Sequence, residues 1–421
     1  MNVLILTKKI IFKPSQEELI VLNSFAYASA KLWNIANYEK RNYEELGFDK
    51  FPDWYDQKKR LKSENWYQSL PSQTAQDVLD KLHKSWKSFF VLKKTGGVQN
   101  PKPPRFKKDG FNFSFLNNGY KVIDDHTVRF SISKRQKEYL KSYYAIDLKY
   151  LTLEINNFSK VNGKIKTIEF KPVKNNQYQI NVAYEIADVE LVEDNKHCLS
   201  IDIGISNLFT CYDNSGISFI VKGAKYLEIS QYFNKKIAHY QKIANSQQVA
   251  SGSKYGKSTK KINSLYEKKN LQLHHFFHCA TKKVVDYCIK NNISKVIIGD
   301  MTGIRENANL GKVNNQKFHG LPYGKIYSLL EYKLKKQGIA LIKQKEHYSS
   351  QVSPFAPRVD QTNATKNKRK HRGLYIDKQT LFNADSVGAF NILRLYEQKE
   401  KTGLHIPLKG LSDPVRLNVS M

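Results

Sequence analysis

Residues 295–304 read KVIIGDMTGI, in which the apolar run Val296-Ile297-Ile298 ends in Gly299 and Asp300 as a buried strand would at its C-terminal edge. Such a strand end often carries a catalytic carboxylate. Here the position that would face a site is a glycine, with an aspartate beside it. Two further acids stand in suggestive surroundings. Asp202 interrupts the apolar segment LSIDIGISNLF, where a lone carboxylate is costly to bury without a metal or a hydrogen-bond donor. Gly204 would let a phosphate or metal approach closely. Asp385 lies in FNADSVGAFNIL, whose Gly388, Ala389 and Asn391 suggest a helix packed close against another element. A cluster of carboxylates suits hard Mg²⁺, and a pair of such ions stabilises the attacking and leaving oxygens of a phosphodiester. Each acid also has a plainer explanation. Asp202 alone fits a hydrogen-bonded structural residue equally well, and Asp385 alone reads as a helix N-cap.

The elements that would position these acids follow from periodicity. Residues 3–12 read as a strand, 15–40 as a helix entered through Pro14 and Ser15, and 70–90 as a second helix with Val78, Leu79, Leu82, Trp86 and Phe89 on one face, an aromatic stripe best read as core. GGVQNPKPPRFKK (96–108) reads as a breaker-rich linker. Between 111 and about 190 the pattern is strand-like, which suggests a small β-barrel or sheet. From 196 the order becomes strand, strand, a tight turn at Asn214-Ser215-Gly216, strand, long basic helices at 226–246 and 258–291, the strand ending at Gly299, a helix ending at Gly338, the strand IALIKQKE, and a last helix from Asp385. This β-β-β-α-β-α-β-α order is that of a ribonuclease-H-like nuclease fold, in which the first strand carries the first acid.

The charge balance points to a polyanionic partner. Lys and Arg number 69 against 38 Asp and Glu, a formal net charge of +31 in 421 residues. Self-repulsion of that size destabilises a compact chain unless a polyanion neutralises it. Basic runs recur at 58–62, 101–108, 133–137 and 366–372, interleaved with 25 Tyr and 22 Phe, a pattern that favours extended nucleic-acid contact over a bland solvated surface. No stretch has the length and apolarity of a membrane span, and no signal peptide is evident. Cys198, Cys211, Cys279 and Cys288 form no CxxC pair, so neither a zinc site nor a disulfide framework is expected, and a reducing cytosolic setting fits. His274, His275, His278 and Cys279 in LHHFFHCA share a helix but lack a further ligand, so contact with phosphate is the better expectation there than a metal.

In combination, SIDIGISNLF, VIIGDMTGI, KEHYSSQ and NADSVGAFNILR resemble the split RuvC nuclease of the TnpB family, transposon-encoded RNA-guided DNA endonucleases related to miniature type V CRISPR effectors and Fanzor proteins. LPSQTAQDVLDKLHKSWKSFF, PKPPRFK and NNQKFHGLPYGKIYSLLEYKLKKQGI resemble further segments of that family, and the likeness runs from about residue 3 to 395. It implies a bilobed α/β plus β protein: first strand of a β-barrel at 1–14, helical recognition domain at 15–108, β-barrel (wedge-like) domain at 109–195, RuvC-like nuclease at 196–346, a degenerate zinc-finger-like basic insertion at 347–383, the RuvC-like C-terminal helix at 384–398 and a tail of no clear role at 399–421.

Two departures from the pattern matter. The second motif usually ends in Glu-Asp-Leu, and the Glu position is Gly299 here. The family's two zinc-binding CxxC pairs are missing, with Ser353 and Ala356 where the first would fall, leaving a basic loop or a small metal-free hairpin. Asp300 is a weak replacement for the glutamate because adjacent strand residues face opposite ways. Glu346, at the end of the neighbouring strand, is the better one. Strands lie about 4.8 Å apart, a gap its long side chain spans, and some relatives carry a glutamate moved in this way. The resemblance thus implies Asp202, Glu346 and Asp385 as catalytic and metal-binding acids holding two Mg²⁺ ions, with Mn²⁺ as an alternative and no zinc. One ion would activate water and the other would stabilise the leaving oxygen. Implied partners are a guide RNA from the transposon end and double-stranded target DNA, read next to a short flanking motif, with no membrane and an open oligomeric state. Arg105, Lys107, Lys254, Lys257, Lys260, Lys261, Arg369 and Arg372 are candidate nucleic-acid contacts. The expected setting is the bacterial cytoplasm, at the nucleoid when DNA is bound. Competing expectations are an RNA-guided repressor whose nuclease is inactive, for which Gly299 speaks, and an acid-triad transposase.

Overall fold

The computed structural model describes residues 3–96, 98–158, 161–187, 189–250, 252, 258–302, 315–316, 319–365, 368–371 and 373–420. The chain divides into two compact units, Met1–Asp188 and Val189–Met421.

The first unit opens with β1 (Val3–Phe12), α1 (Gln16–Arg41), α2 (Trp54–Arg60), α3 (Asn65–Gln68) and α4 (Ser72–Thr95). Helix α1 starts where Ser15 and Glu18 form a reciprocal capping box, the Glu18 N–H donating to Ser15 Oγ and the Ser15 N–H to Glu18 Oε2. The unit continues with β2 (Phe113–Leu116), β3 (Tyr120–Val122), β4 (Thr127–Ser131), α5 (Lys134–Tyr144), β5 (Tyr150–Glu154), β6 (Lys164–Val173) and β7 (Gln177–Ala187). The strands form two open antiparallel sheets, β1-β7-β6-β2 and β3-β4-β5. No closed barrel forms among the described residues, which corrects the expected β-barrel. Helix α5 explains part of that difference: the basic run SKRQK opens a helix, capped by the Ser133 side chain, between two strands of the smaller sheet. An aromatic cluster of Phe25, Phe113, Phe115, Phe130 and Phe170 fills the core between α1 and the sheets.

The segment expected as a linker is strapped to α1. Trp33 Nε1 donates to the Arg105 carbonyl at 3.0 Å, Asn37 to Pro104 at 3.0 Å and Asn34 to Lys107 at 2.8 Å. Three prolines remove backbone donors there, so the carbonyls are free to be held by side chains.

The second unit contains β8 (Cys198–Ile203), β9 (Asn207–Asp213), β10 (Ser218–Lys222), α6 (Ala224–Ala250), α7 (Lys260–Lys290), β11 (Lys295–Gly299), α8 (Tyr323–Lys335), β12 (Ala340–Gln344), β13 (Arg369–His371), β14 (Leu374–Asp377), β15 (Thr380–Asn383), α9 (Ala384–Glu400) and β16 (Val415–Leu417). Its main sheet has the order β12-β11-β8-β9-β10-β16. Strand β9 runs antiparallel to β8 and β10, whereas β8, β11 and β12 run parallel to one another. The first five strands follow the order expected for a ribonuclease-H-like domain. Long helices bury Phe276, Phe277, Val284 and Leu330 in one core, while Tyr212, Val387, Phe390 and Leu393 form another with α9.

Two features depart from expectation. The tail is a structural element: β16 adds a parallel edge strand to β10. The insertion carries the small sheet β13-β14-β15. Ser353, where the family's first zinc cysteine would fall, donates its hydroxyl to Asp377 Oδ2, and Lys368 Nζ meets the same oxygen at 2.8 Å. Asp377 is only 8% exposed. Burial alone would raise its pKa, but the Lys368 ion pair and the Ser353 hydroxyl outweigh burial and hold it below the ordinary value. A depressed carboxylate stabilises the fold above its unfolded pKa and loses that contribution as pH falls through its folded pKa. Asp377→Ala is therefore expected to cost about 2 kcal/mol at neutral pH. The gap from wild type should close as the pH drops below 3.8. Denaturant melts of both proteins across that range check it.

Candidate active site

The C-terminal ends of β8, β11 and β12 and the start of α9 come together on one face of the main sheet. Parallel pairing aligns Ile298 with Ile201 and Gly299 with Gln344, so Glu346 emerges two residues beyond the position beside Gly299. A Cβ built at Gly299 would lie 2.2 Å from Glu346 Oε2 and 3.2 Å from Ile392 Cδ1. The carboxylate thus fills the space that a side chain at 299 would need, on the face covered by α9. Asp202 projects to the same helix: a Cβ at Gly388 would be 2.7 Å from Asp202 Oδ2. Positions 385, 388 and 392 lie on one face of α9. Along that face follow Asp385, the glycine against Asp202, and the isoleucine beside Gly299 and Glu346.

Supporting contacts hold the frame. Asn383 caps α9, accepting from the Asp385 and Ser386 N–H groups. The expected capping role therefore falls to Asn383, which leaves the Asp385 carboxylate to other work. Asn207 Nδ2 donates to Asp385 Oδ2 at 2.7 Å, a contact that the sequence reading missed although Asn207 sits in the same SIDIGISNLF motif. Ser200 Oγ ties β8 to the Ala389 carbonyl at 2.7 Å. Buried Asn391 donates to the Ser349 and Val352 carbonyls, both at 2.8 Å. Arg394 donates to the carbonyls of Ser353 and Ala356. Helix α9 thereby fixes the segment just after Glu346. Tyr327 closes the end of β11, donating to the Gly299 carbonyl and accepting from the Met301 N–H.

The electrostatics separate Glu346 from Asp300. Burial, and next the charge of Asp300, push the Glu346 carboxyl up to about 7. Asp300 turns to its own loop, accepting from the Thr302 hydroxyl and N–H. Those bonds, the hydroxyl first, hold its pKa below the ordinary value.

The donor set fits a hard divalent ion in kind, since carboxylate oxygens are what Mg²⁺ prefers. Among the described residues no three His, Cys, Asp or Glu side chains already converge as a metal cage. Like charges repel without a cation between them; Asp385 lies on α9, and Asp202 and Glu346 approach the same face of that helix from the sheet. Gly388→Ala tests the face directly. Alanine is preferred to glycine in a helix by about 1 kcal/mol, so the fold should be kept or stabilised. Its Cβ would turn the Asp202 carboxylate aside, and any metal-dependent activity of this site should fall about tenfold or more. Thermal melts run beside cleavage assays separate the two effects.

The other expected residues are scattered. Arg105 is exposed. Lys107 is half-buried, its ammonium 4.4 Å from the Trp33 ring centroid and 4.7 Å from that of Phe111, and burial lowers its pKa. Lys260 and Lys261 are exposed in the first turn of α7, with Lys261 over Tyr240. Arg369 lies in β13. Lys254, Lys257 and Arg372 fall outside the described residues. His274 and His278 stack with centroids 4.4 Å apart. Burial, then His274, lower His278 to about 4.

Comparison with known proteins shows what the chain resembles. Residues 181–305 match the family model OrfB_IS605, described as probable transposase, and residues 323–392 match the Cas12f1-like TNB domain. A TnpB-like protein, ORF457 of Acidianus two-tailed virus, is 22% identical over 405 residues, spanning 89% of this chain and 82% of its own. A Cas12f1 protein solved with sgRNA and target DNA shares the fold at a TM-score of 0.60 and 15% identity, over 90% of this chain and 83% of that one. No described helix is long and apolar enough to cross a membrane. The chain is thus similar, over two segments in order, to those two family models, along most of its length to a TnpB-like relative, and in fold to Cas12f1.

Proposed function

We propose that this protein is an RNA-guided, Mg²⁺-dependent DNA endonuclease of a transposable element, cutting guide-matched DNA beside a short flanking motif with Asp202, Glu346 and Asp385 as its metal-binding acids. The observation that carries the reading is the Glu346 carboxylate over Gly299, on the sheet face that also holds Asp202. A glutamate lost from one strand end is thereby answered by one from the next. Two Mg²⁺ held by these acids would stabilise the attacking and leaving oxygens of the scissile phosphodiester. The chain's own residues prepare that arrangement. Asn207 orients Asp385, Gly388 makes room for Asp202, Gly299 makes room for Glu346, and Asn391 with Arg394 anchors the segment behind it. Sequence choice would come from guide pairing, with protein contacts mainly to backbone and helix shape. The net charge of +31 suits such a partner.

The test is Mg²⁺-dependent cleavage by the protein co-expressed with RNA encoded beside its gene. The substrate is a guide-matched DNA library with randomised flanks. Cutting that depends on guide, flank and Mg²⁺ is the expected result. Guide-dependent binding without cutting would make the protein a repressor, and guide-independent strand transfer would make it a transposase.

A further inference from the structure

A cavity of about 940 Å³ opens in the first unit, lined by none of the three acids. Tyr27 from α1 and Trp66 from α3 line one side, and Tyr139 and Tyr144 from α5 and its end line another. The tyrosines are 42%, 41% and 47% exposed in chain order. Core packing does not leave large rings so open. They converge nonetheless. Tyr27 and Trp66 meet edge to face at 5.4 Å, Tyr139 and Tyr144 at 5.8 Å. The amide of Gln136, 2% exposed, forms part of the lining, its Nε2 held on Ser24 Oγ at 2.5 Å.

The chemistry changes at Arg135. This exposed side chain lines the aromatic cavity and also a neighbouring groove of about 580 Å³ lined by Lys62, Lys134 and Ser133. One chamber offers rings and amides with one acid, Asp109, the next offers cations and a hydroxyl with one acid, Glu138, and one arginine borders both. A nucleotide presents that same succession: a flat base with hydrogen-bonding edges, then an anionic phosphate. Bases stack on aromatic side chains at about 1–3 kcal/mol each. A protein partner could use the rings but has less use for the cationic groove, and a chain of +31 draws polyanions first.

We infer that this cavity captures the base of one unstacked nucleotide of a single strand, with the adjoining phosphate on Arg135. The site contains none of the three acids and does not depend on cleavage. The test uses the full chain without guide RNA. Probes are single-stranded 12-mers carrying one 4-thiouridine in RNA or one 4-thiothymidine in DNA, and the same strands in duplex. Photo-adducts are mapped by mass spectrometry. Adducts are expected on peptides holding Tyr27, Trp66, Tyr139 or Tyr144, from single strands and not from duplex. Tyr139→Ala and Arg135→Ala should each cut that yield at least fivefold, while Tyr139→Phe keeps it. Total binding, carried by the whole basic surface, should change less than twofold. Adducts from RNA alone, DNA alone or both assign the strand. Adducts confined to other basic faces, yields indifferent to Tyr139→Ala, or equal yields from duplex would overturn the site.

Discussion

Glu346→Gln is expected to lower guide-dependent cleavage about 1000-fold, some 4 kcal/mol in barrier, while leaving target binding and fold intact. Glutamine keeps the shape over Gly299 but lacks the charge that would hold a cation. The carboxyl sits at about 7 because of burial and Asp300. A raised carboxyl pKa means that the folded state holds its proton above the pH at which the unfolded chain has released it. Its ionisation opposes folding as pH rises from 4.5 toward about 7. Glu346→Gln removes that penalty, so the variant should melt at or above wild type at neutral pH, and lost cleavage cannot be blamed on unfolding. In wild type, the Mg²⁺ concentration needed for half-maximal cleavage should fall as pH rises through about 7, because ion and proton compete for one carboxylate. Gly299→Ala should also damage activity, since the new Cβ would sit 2.2 Å from Glu346 Oε2. The sharper check is the exchange. Gly299→Glu combined with Glu346→Gly returns a glutamate to β11 with room to stand, and should recover cleavage at least tenfold over Glu346→Gly alone. No recovery, with both proteins folded, would count against the two positions serving one site.

Truncation after Gly403 is expected to destabilise the second unit by about 4 kcal/mol or more, a drop in Tm of roughly 10 °C. The deleted segment inserts Leu411, 1% exposed, into the core beside α9. Burial of one leucine stabilises by about 1.5–3 kcal/mol, and the hydrogen bonds add about 1 kcal/mol each. The Asn383 N–H donates to the Leu411 carbonyl at 2.8 Å, the Tyr212 hydroxyl to Pro407 and the Ser218 hydroxyl to Gly410. At Gly410, φ is +72° and a Cβ would meet the Gly216 carbonyl at 2.1 Å, so the turn needs glycine there. Losing β16 would also uncover the β10 edge, an invitation to aggregate. Asn383 caps the helix bearing Asp385, so cleavage should weaken before the unit melts. Leu411→Ala should reproduce about half of the effect. Calorimetry of the three proteins with parallel cleavage assays decides it.

The sequence by itself determined the strand and helix order of the second unit. Apolar runs such as Val296-Ile297-Ile298 and capped amphipathic helices declare themselves through local periodicity. It determined the acids as candidates because carboxylates in apolar segments are costly and conspicuous, and it identified the family likeness. It did not reveal helix α5, whose polar, basic opening reads like a loop until the Ser133 cap is seen in place. It read the strands of the first unit as a possible barrel, but closure depends on long-range pairing, and the pairing made two open sheets. The tail, polar and short of apolar repeats, gave no sign that Leu411 and β16 would complete a sheet edge, because that order comes from partners some 190 residues away. That Glu346 would reach the Gly299 position from the next strand was expected from the sequence; the tertiary structure supplied the register and the covering helix. Parallel register put β12 beside β11, and α9 closed the same face with Gly388 and Ile392. How closely α9 covers that strand pair depends on long-range packing, and no local pattern encodes that.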